Sequence, residues 1–447
     1  MPSESSQSAS REANRGFGAW RTARRGLLRH DRGGPGACHY NSGAMSAPLS
    51  ARSATDPNAW PRRLVTLGLI TAIVGSSAPI PLYPIFRQAL QLDASTMTLI
   101  FVAYVGGALI ALLTMGQLLS RLANPYRLLV PSLLVVALGA ALMAIAGDLG
   151  TLLAGRVLAG LGTGGVTVAA NVVLIELSPQ RSPRHAALLA SLSFGIGSGL
   201  GPVLTGAALQ LDWWPTVLPF IVIAASALIS LYSAGRRWNS REGTAVRPAA
   251  AGPTGGAERS PIPWKGFLLC AAGIMSAWSM GSMMMALAAF FGDTIFGFSN
   301  YALSGLVVSG YLATTTLSQW LHRQLPQRPT FARGCFIAAA SLLLLALAAH
   351  WQLLWLAALA MLTTGIGNGA AFGAAAGLLN HIAPPHHGAR LVSWFYTAGY
   401  SVSLIPLLIG ILIDHSGSMV GLNTYIACVT ALLLFTGLSV RRAALAS

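Results

Sequence analysis

Long apolar segments recur along the chain between about residue 64 and residue 440, and short polar connectors separate them. Each segment is long enough to cross the roughly 30 Å hydrocarbon core of a bilayer as a helix, which satisfies its own backbone polar groups without water. We therefore predict twelve membrane-spanning helices, which we number span one to span twelve, at residues 64–84, 96–118, 128–147, 150–175, 186–209, 214–235, 265–290, 301–321, 331–349, 352–379, 390–412 and 420–440.

The longest internal connector, residues 236–263, follows span six and is rich in Pro, Gly and Arg. We interpret it as a linker between two six-helix bundles, an N-terminal bundle at 61–235 and a C-terminal bundle at 264–442. The predicted fold class is an all-α membrane protein.

The segment before span one has a different character. Residues 1–60 are rich in Ser, Ala, Gly and Arg and have no apolar periodicity, so we expect a disordered tail. Met45 is an alternative start of translation, because a chain that begins there keeps the basic pair Arg62 and Arg63 beside span one. The sequence leaves open whether residues 1–44 are translated.

The composition supports the membrane interpretation. Of the 447 residues, 54% are hydrophobic and 9% are charged, whereas soluble domains carry about 25% charged residues. The net charge of +16 does not indicate a nucleic-acid partner. The basic residues lie mostly in the tail and the connectors, and they form no basic face interleaved with aromatic residues.

Motif searches argue against other classes of protein. The four scattered cysteines suggest neither a disulfide framework nor a zinc site. The histidine pair in PPHHG, residues 384–388, has no carboxylate or thiolate at ligand spacing, so we expect no metal. The chain has neither a phosphate-binding loop ending in Gly-Lys-Ser/Thr nor a Ser, His and acid set. We expect neither a nucleotide-driven pump nor an enzyme, and no cofactor.

The connectors alternate in charge. Those after even-numbered spans, with the segment after span twelve, hold sixteen basic residues, and those after odd-numbered spans hold one, Arg87. We call the two ends of the helices the even-loop end and the odd-loop end. The positive-inside rule places the even-loop end and both termini in the cytoplasm. We expect a multi-pass protein of the cell (inner) membrane.

The two halves also share short sequences. GLGTG at 160–164 aligns with GIGNG at 365–369 at an offset of 205, and GPVLTG at 201–206 aligns with IPLLIG at 405–410 at an offset of 204. GQLLSR at 116–121 aligns with SQWLHR at 318–323 at an offset of 202. Matches in chain order at nearly one spacing predict a duplicated six-helix unit, so the two bundles should be pseudo-symmetric.

Twelve spans in two similar halves, with a cytoplasmic linker and cytoplasmic termini, resemble the major facilitator superfamily (MFS) of secondary transporters over nearly all of residues 60–442. The loop after span two matches that family's motif at Gly116, Leu118 and Arg121, but Ser120 replaces its acid. In the family the acid helps to latch the halves together at the cytoplasmic side. The resemblance therefore does not imply an intact charge latch in this chain.

Spans four and five resemble the 12-helix drug/proton antiporter branch of that family. Arg156 and Gly160 match the motif of span four, and the Gly-Pro signature of span five is matched by Gly197, Gly201, Pro202 and Gly206, with Pro406 and Gly410 at the corresponding places in span eleven. Glycines four apart, such as Gly160 and Gly164, let helices pack closely. A proline within a span can kink it. Helix packing and a pivot for rocking are both open interpretations of these residues.

The resemblance implies that spans one, four, seven and ten line a central cavity. Candidate residues of the transport path there and on the neighbouring spans are Tyr104, Arg156, Asn171, Trp278, Asn368, Trp394 and Tyr396. Most are aromatic or apolar, which suits a lipophilic cargo, although each can also be explained by helix packing. A charge facing lipid costs at least ~2 kcal/mol, so we expect Arg156 to face the interior of the bundle. Snorkelling to the surface is the alternative, and the sequence does not identify its partner.

Energy coupling is less well defined by the sequence. No acidic residue lies deep within a span, and the nearest candidates for proton coupling are Asp293 and Glu176. We predict a secondary transporter that exports small lipophilic compounds or drugs by alternating access, with protons as candidate partners. The alternative is a transporter of a small metabolite or organic anion that uses Arg156 as counter-ion. We expect a monomer in the lipid bilayer; the substrate, the direction and the coupling ion stay open.

Overall fold

The computed structural model describes residues 58–122, 124–237, 263–383 and 388–445. These residues are almost entirely helical and contain no strand. The all-α prediction is confirmed for this part of the chain. The tail with Met45, most of the linker 236–263 and the histidine pair of PPHHG lie outside the described residues.

The helices follow the predicted order, and two spans are interrupted. Span one consists of Ala59–Ser77, a 3-10 turn at Ile80–Leu82 and Tyr83–Leu90, and span eleven consists of Gly388–Ser401, a 3-10 turn at Val402–Leu404 and Ile405–Ser416. The uninterrupted spans are Ala94–Arg121, Tyr126–Ala144, Leu149–Leu177, Pro183–Leu211, Leu218–Gly235, Trp264–Thr294, Tyr301–His322, Gln327–His350, Leu354–Ile382 and Ser418–Leu445.

Eleven of these spans are long and apolar enough to cross a membrane. Span eight has a sufficient length of 22 residues but is more polar, because it contains six Ser and Thr residues. Several of their hydroxyls donate to carbonyl oxygens one turn earlier in the same helix, as Thr315 and Thr316 do. These bonds reduce the cost of placing span eight among the apolar helices, and the twelve-helix layout holds.

Capping residues define two of the helix starts at the odd-loop end. Asp148 accepts the Thr151 backbone N–H at 3.0 Å, while the Thr151 hydroxyl turns back to the Asp148 backbone in a capping box. These hydrogen bonds lower the pKa of the exposed Asp148 carboxyl. Asn300 caps span eight by accepting the Leu303 N–H at 3.1 Å.

Span four packs closely against span two and forms a seam with it, because two of its glycines face that helix. A Cβ added at Gly160 would collide with the carbonyl oxygen of Tyr104, and one added at Gly164 would lie 2.8 Å from the carbonyl oxygen of Ala108. The glycines therefore allow direct backbone contact between the two helices, as their spacing of four predicts.

The C-terminal bundle repeats this seam between spans eight and ten. A Cβ at Gly365 would lie 2.6 Å from the carbonyl oxygen of Tyr311, and one at Gly369 would collide with that of Thr315. The first glycine of each seam thus meets the carbonyl of a tyrosine, Tyr104 or Tyr311. The predicted pseudo-symmetry of the two bundles extends to individual backbone contacts.

Candidate functional site

Arg156 lies in the interior of the N-terminal bundle, and its side chain is 0% exposed. Its Nη1 donates to the carbonyl oxygens of Ser76 at 3.2 Å and Gly75 at 3.5 Å, and its Nε donates to that of Ile100 at 3.4 Å. Its Cζ lies 4.5 Å from the centroid of the Tyr104 ring. Backbone dipoles of spans one and two and an aromatic face therefore surround the charge.

A proline in span one explains why the carbonyl groups at the end of its first helix can accept. In a helix, the N–H of each residue bonds to the carbonyl four residues earlier, but Pro79 has no N–H to offer Gly75. The first helix of span one ends just before this proline. Arg156 supplies donors to that helix end, and the hydroxyl of Thr205 in span five donates to the Ala78 carbonyl at 2.8 Å. The sequence signal was present in the Pro-rich stretch of span one, but its link to span four was missed.

One nitrogen of the Arg156 guanidinium makes no hydrogen bond to the described residues. Within the described residues, Nη2 of Arg156 and the hydroxyl of Tyr83 are buried without a hydrogen-bond partner. Tyr83 belongs to the second helix of span one, and its hydroxyl lies near the Arg156 guanidinium without meeting hydrogen-bond geometry. A buried donor and a buried hydroxyl thus share one small region of the bundle.

Aromatic side chains also cluster in the C-terminal bundle, on spans that pack against span two. Trp278 of span seven packs edge-to-face on Tyr400 of span eleven, with centroids 4.6 Å apart, and its centroid lies 6.2 Å from that of Tyr396. Tyr104, the residue beneath Arg156, lies on span two, which packs against spans seven and eleven. We call Tyr104, Trp278, Tyr396 and Tyr400 the aromatic bridge. Tyr396 is 41% exposed, so the bridge is open on one side.

Trp394 lies apart from the aromatic bridge. Its ring stacks on Trp264 at a centroid distance of 5.6 Å, and Phe267 packs edge-on against it at 6.2 Å. Trp264 begins span seven, fourteen residues before Trp278, which corresponds to roughly 21 Å along a helix. Trp394 therefore belongs to a separate aromatic cluster toward the even-loop end.

The two candidate asparagines have different surroundings. Asn368 is 5% exposed and donates from Nδ2 to the hydroxyl of Tyr311 at 2.6 Å, while its Oδ1 has no partner among the described residues. Asn171 is half-buried and donates to the Thr167 carbonyl of its own helix at 2.7 Å. Only Asn368 links two spans through its side chain.

The two candidate acids lie at opposite ends of the helices. At the odd-loop end, the Tyr301 hydroxyl lies 3.5 Å from Oδ1 of Asp293 and accepts from Nε2 of Gln88 at 2.8 Å. This chain of contacts joins span one to spans seven and eight. At the even-loop end, Glu176 is half-buried, and its Oε1 has no partner among the described residues.

A further carboxylate, Asp414, joins the two bundles at the odd-loop end. Its two oxygens accept the backbone N–H groups of Ala94 and Ser95, the first residues of span two, at 2.8 and 2.9 Å. Asp414 of span eleven thus caps a helix of the other bundle. Nothing in its sequence context distinguishes it from a solvated loop residue, so sequence analysis missed it.

The motif glycines of spans five and eleven also lie at contacts between the bundles. A Cβ on Gly206 would lie 3.1 Å from the Ala302 carbonyl oxygen in span eight, and one on Gly410 would lie 3.0 Å from the Ala94 carbonyl oxygen in span two. The aligned glycines of the two halves therefore occupy equivalent seams. Span five runs through Pro202 without interruption, so this proline does not break the helix.

The other motif residues have different roles in packing. Gly197 and Gly201 bring span five against span one, where Cβ atoms would crowd Ile73 and Ser77 respectively. Pro406 stands in the first turn of the last helix of span eleven. At the even-loop end, a Cβ on Gly116 would meet nothing within 4 Å, and Arg121 is exposed. The close seams therefore concern the glycines of spans four, five and eleven rather than Gly116.

Comparison with protein families gives one match that covers most of the chain. The model described as Major Facilitator Superfamily matches residues 65–407. This range runs from span one into span eleven and includes the linker and both glycine seams.

Curated relatives match over shorter stretches. The chain is 30% identical over 139 residues to the "MFS-type transporter pydD" of Acremonium sp, an alignment that covers 30% of this chain and 24% of that protein. It is 31% identical over 143 residues to the "Proton myo-inositol cotransporter" of Homo sapiens, covering 32% of this chain and 22% of the relative. It is 33% identical over 97 residues to the "MFS efflux transporter aclA" of Aspergillus oryzae, covering 21% and 18%. The chain thus spans about a quarter or less of the length of these relatives.

Solved structures match over nearly the whole fold. A bacterial homologue of the human lysosomal transporter Spinster, in an inward-facing and unoccupied conformation, superposes with a TM-score of 0.68 at 15% identity, covering 86% of this chain and 97% of that chain. A peptide transporter POT in complex with sulfate superposes with a TM-score of 0.69 at 16% identity, covering 87% and 94%. At these identities the match concerns the fold alone.

Proposed function

This chain belongs to the Major Facilitator Superfamily, and we propose that it is a secondary transporter of small lipophilic or amphipathic compounds. The observation that carries the proposal is the aromatic bridge. Trp278 packs against Tyr400 and Tyr396 in the C-terminal bundle, Tyr104 lies on span two, which packs against spans seven and eleven, and Tyr396 is exposed. Aromatic faces with few polar groups suit an apolar cargo. Arg156 adds a polar group on the N-terminal side of this region, where it lies over the Tyr104 ring.

Transport proceeds in this proposal by rocking of the two bundles. The seams at Gly206 and Gly410 and the cap by Asp414 hold the bundles together toward the odd-loop end. The positive-inside rule makes that end the outer one, so the described conformation is closed to the outside. Opening to the outside requires the backbone contacts at both seams to separate, and the cargo can then pass between the cavity and the outer side of the membrane.

Export is the direction we favour, through the cell (inner) membrane with both termini in the cytoplasm and the chain acting as a monomer. One relative carries the name efflux transporter, and others are named as transporters of biosynthesis clusters. Among the described residues the aromatic bridge offers no carboxylate to a cationic cargo, so apolar surface is the main attraction that it supplies.

Protons are the coupling ion in this proposal, and antiport is the mode. Asp293 contacts the Tyr301 hydroxyl, which in turn contacts Gln88 of the other bundle. A proton on Asp293 weakens the hydrogen bond that the Tyr301 hydroxyl donates to it, because a neutral carboxyl is a weaker acceptor than a carboxylate, and this loosens the position of Tyr301 opposite Gln88. Glu176, with its unpartnered Oε1, is a second protonation site, at the even-loop end.

A small organic anion is the second candidate cargo. It is favoured by one observation, the buried Nη2 of Arg156 that has no partner among the described residues and lies in the region of the unpartnered Tyr83 hydroxyl. An anion could accept from both groups if the surrounding helices part. Arg156→Lys keeps the charge but loses the planar fork of donors, so it should retain part of the transport of an anion.

The direct test is accumulation of a compound panel, including anions, in a susceptible host that lacks its own exporters. We expect cells with the chain to accumulate less of at least one lipophilic compound, and a proton uncoupler to abolish the difference. Trp278→Ala should remove the difference, whereas Trp355→Ala, a matched change at a 66% exposed side chain, should not. Equal accumulation of every compound with and without the chain would contradict the proposal.

A further inference from the structure

The C-terminal bundle contains an apolar cavity of about 70 Å³ near the odd-loop end. It lies among spans seven to ten and span twelve, and its walls include Met284, Phe291, Phe296, Leu345 and Met361. The hydroxyl of Ser304 is the only polar side-chain group in the lining. A volume of roughly 10–15 Å³ on this scale holds one water molecule, and a water also needs polar partners. The cavity is therefore large enough for an organic group and poorly suited to water.

The N-terminal bundle fills the corresponding space. The glycine seams fix the alignment of the two bundles. Gly369 corresponds to Gly164 at an offset of 205, and Tyr311 corresponds to Tyr104 at an offset of 207, which replaces the offset of 202 that the GQLLSR match predicted for spans two and eight. With these offsets, five lining residues of the cavity pair with larger residues of the N-terminal bundle: Met361 with Arg156, Ala357 with Leu152, Ala358 with Leu153, Ser304 with Met97 and Val307 with Ile100. Four of those larger side chains are at most 1% exposed: Met97, Ile100, Leu152 and Arg156. The cavity thus results from smaller side chains on an equivalent backbone.

The cavity is also reachable. Leu354, at the start of span ten, is 37% exposed, and Phe298 in the preceding loop is half-buried. Both residues line the cavity and stand at its odd-loop side. A solute could enter between them after a small side-chain movement, without separation of the two bundles.

We propose that this cavity is a binding site for one uncharged apolar group. Its 70 Å³ fits a short alkyl chain as it stands and, since a cavity that takes benzene has about 150 Å³, an aromatic ring once Leu354 and Phe298 move outward. An empty apolar cavity forfeits packing contacts, and an apolar ligand of matching size restores them. The aromatic and sulfur-bearing walls are adaptable and polarizable, which favours an aromatic ring. The site is separate from the aromatic bridge, so its occupancy does not depend on the proposed transport.

Photolabelling of the full chain in lipid nanodiscs tests this site. The probe is 3-trifluoromethyl-3-phenyldiazirine, a small apolar arene, and the labelled residues are identified by peptide mass spectrometry. We expect saturable labelling at Met284, Phe291 and Met361 that excess toluene suppresses. Ala357→Leu, which restores the leucine of the N-terminal bundle, should reduce this labelling at least fivefold.

Two controls separate cavity binding from labelling by dissolved probe or by misfolding. Ala340→Leu makes the same change at an exposed position of span nine and should leave the labelling unchanged. Labelling at the lipid-facing Leu306, which is 56% exposed, should persist in all variants. If Ala357→Leu does not fold, Ser304→Met fills the cavity from span eight and serves in its place.

Three outcomes would overturn the assignment. The first is cavity labelling that rises linearly with probe concentration, and the second is labelling that is unchanged in the filled variant. The third comes from a parallel experiment with a phospholipid that carries a diazirine in its acyl chain. If that lipid crosslinks to the same cavity residues, the occupant is a membrane lipid rather than a free apolar solute.

Discussion

The two bundles share a backbone plan but differ at one pair of equivalent positions, Arg156 and Met361. Span four carries a buried arginine, whereas span ten carries a methionine beside an apolar cavity. The difference follows from the first helix of each bundle. Span one is interrupted at Pro79 and leaves carbonyl groups for Arg156, while span seven runs without proline as one helix, Trp264–Thr294. The interruption of span one therefore explains how span four can carry a buried arginine. Span seven has no such interruption, which explains why span ten carries a methionine instead.

The largest effect should come from making the N-terminal bundle resemble the C-terminal one. Arg156→Met removes the donors to the Gly75, Ser76 and Ile100 carbonyls, and we expect the free energy of unfolding to fall by about 4 kcal/mol, since each charge-assisted hydrogen bond contributes roughly 1.5–3. Thermal unfolding of the purified protein measures this change in the free energy of unfolding. The matched change Met361→Leu in the other bundle should cost less than about 1.5 kcal/mol. Equal losses in the two variants would contradict the assignment.

The second-largest effect should come from changing the packing of side chains at the odd-loop end of each bundle. Leu152 is 0% exposed, and Leu152→Ala should destabilise the protein by about 3 kcal/mol because it opens a cavity. The equivalent position already holds Ala357, and Ala357→Leu should raise the unfolding temperature instead. The two variants are compared by the same unfolding assay. A rise for Leu152→Ala, or a large fall for Ala357→Leu, would show that the two spaces are not equivalent.

An alanine in a glycine seam should lower the free energy of unfolding by a smaller amount. Gly160→Ala places a methyl group against the Tyr104 carbonyl oxygen, so the helices must move apart at a cost of about 2 kcal/mol. Gly106→Ala in span two is the control, because a Cβ there meets nothing within 4 Å. Folded yield and unfolding temperature report the difference. If both alanines behave alike, the seam does not depend on direct backbone contact.

The smallest effect should come from the contact between the bundles at Asp414. Asp414→Asn weakens the cap on the N–H groups of Ala94 and Ser95, which is worth about 1 kcal/mol. We expect little change in unfolding but a shift toward conformations open at the odd-loop end. Spin-label distances across that end detect such a shift. Asp148→Asn alters a cap within one bundle and should leave the distances unchanged.

Much of this architecture could be predicted from the sequence because it depends on local pattern. The apolar segments indicate the spans. The glycines spaced four residues apart, which begin at Gly160 in span four and at Gly365 in span ten, indicate the close seams with neighbouring helices. The interior position of Arg156 followed from the cost of a charge in lipid, but its partners did not. They are backbone carbonyls of two other spans, and the two in span one are free because Pro79 ends a helix there.

Other features depend on tertiary contacts that no local pattern records. The interruption of span eleven lies within a continuous apolar segment, although Pro406 marks its end. Asp414 reads as a loop residue until span two is placed beside it. Trp394 and Tyr396 are two residues apart, so they point in different directions from one helix, and only Tyr396 reaches Trp278.

The proposal that the bundles rock about the outer seams is tested most directly by locking one seam. A Cβ on Gly206 would lie 3.4 Å from the Ala302 Cα, so the two Cα atoms are at most about 5 Å apart, and disulfides join Cα atoms that are usually about 4.4–6.8 Å apart. In the variant with Gly206→Cys and Ala302→Cys, we expect oxidation to reduce transport at least tenfold and reduction to restore it, with both single variants insensitive. Full transport by the oxidised protein, with the disulfide verified by mass spectrometry, would contradict alternating access at this seam.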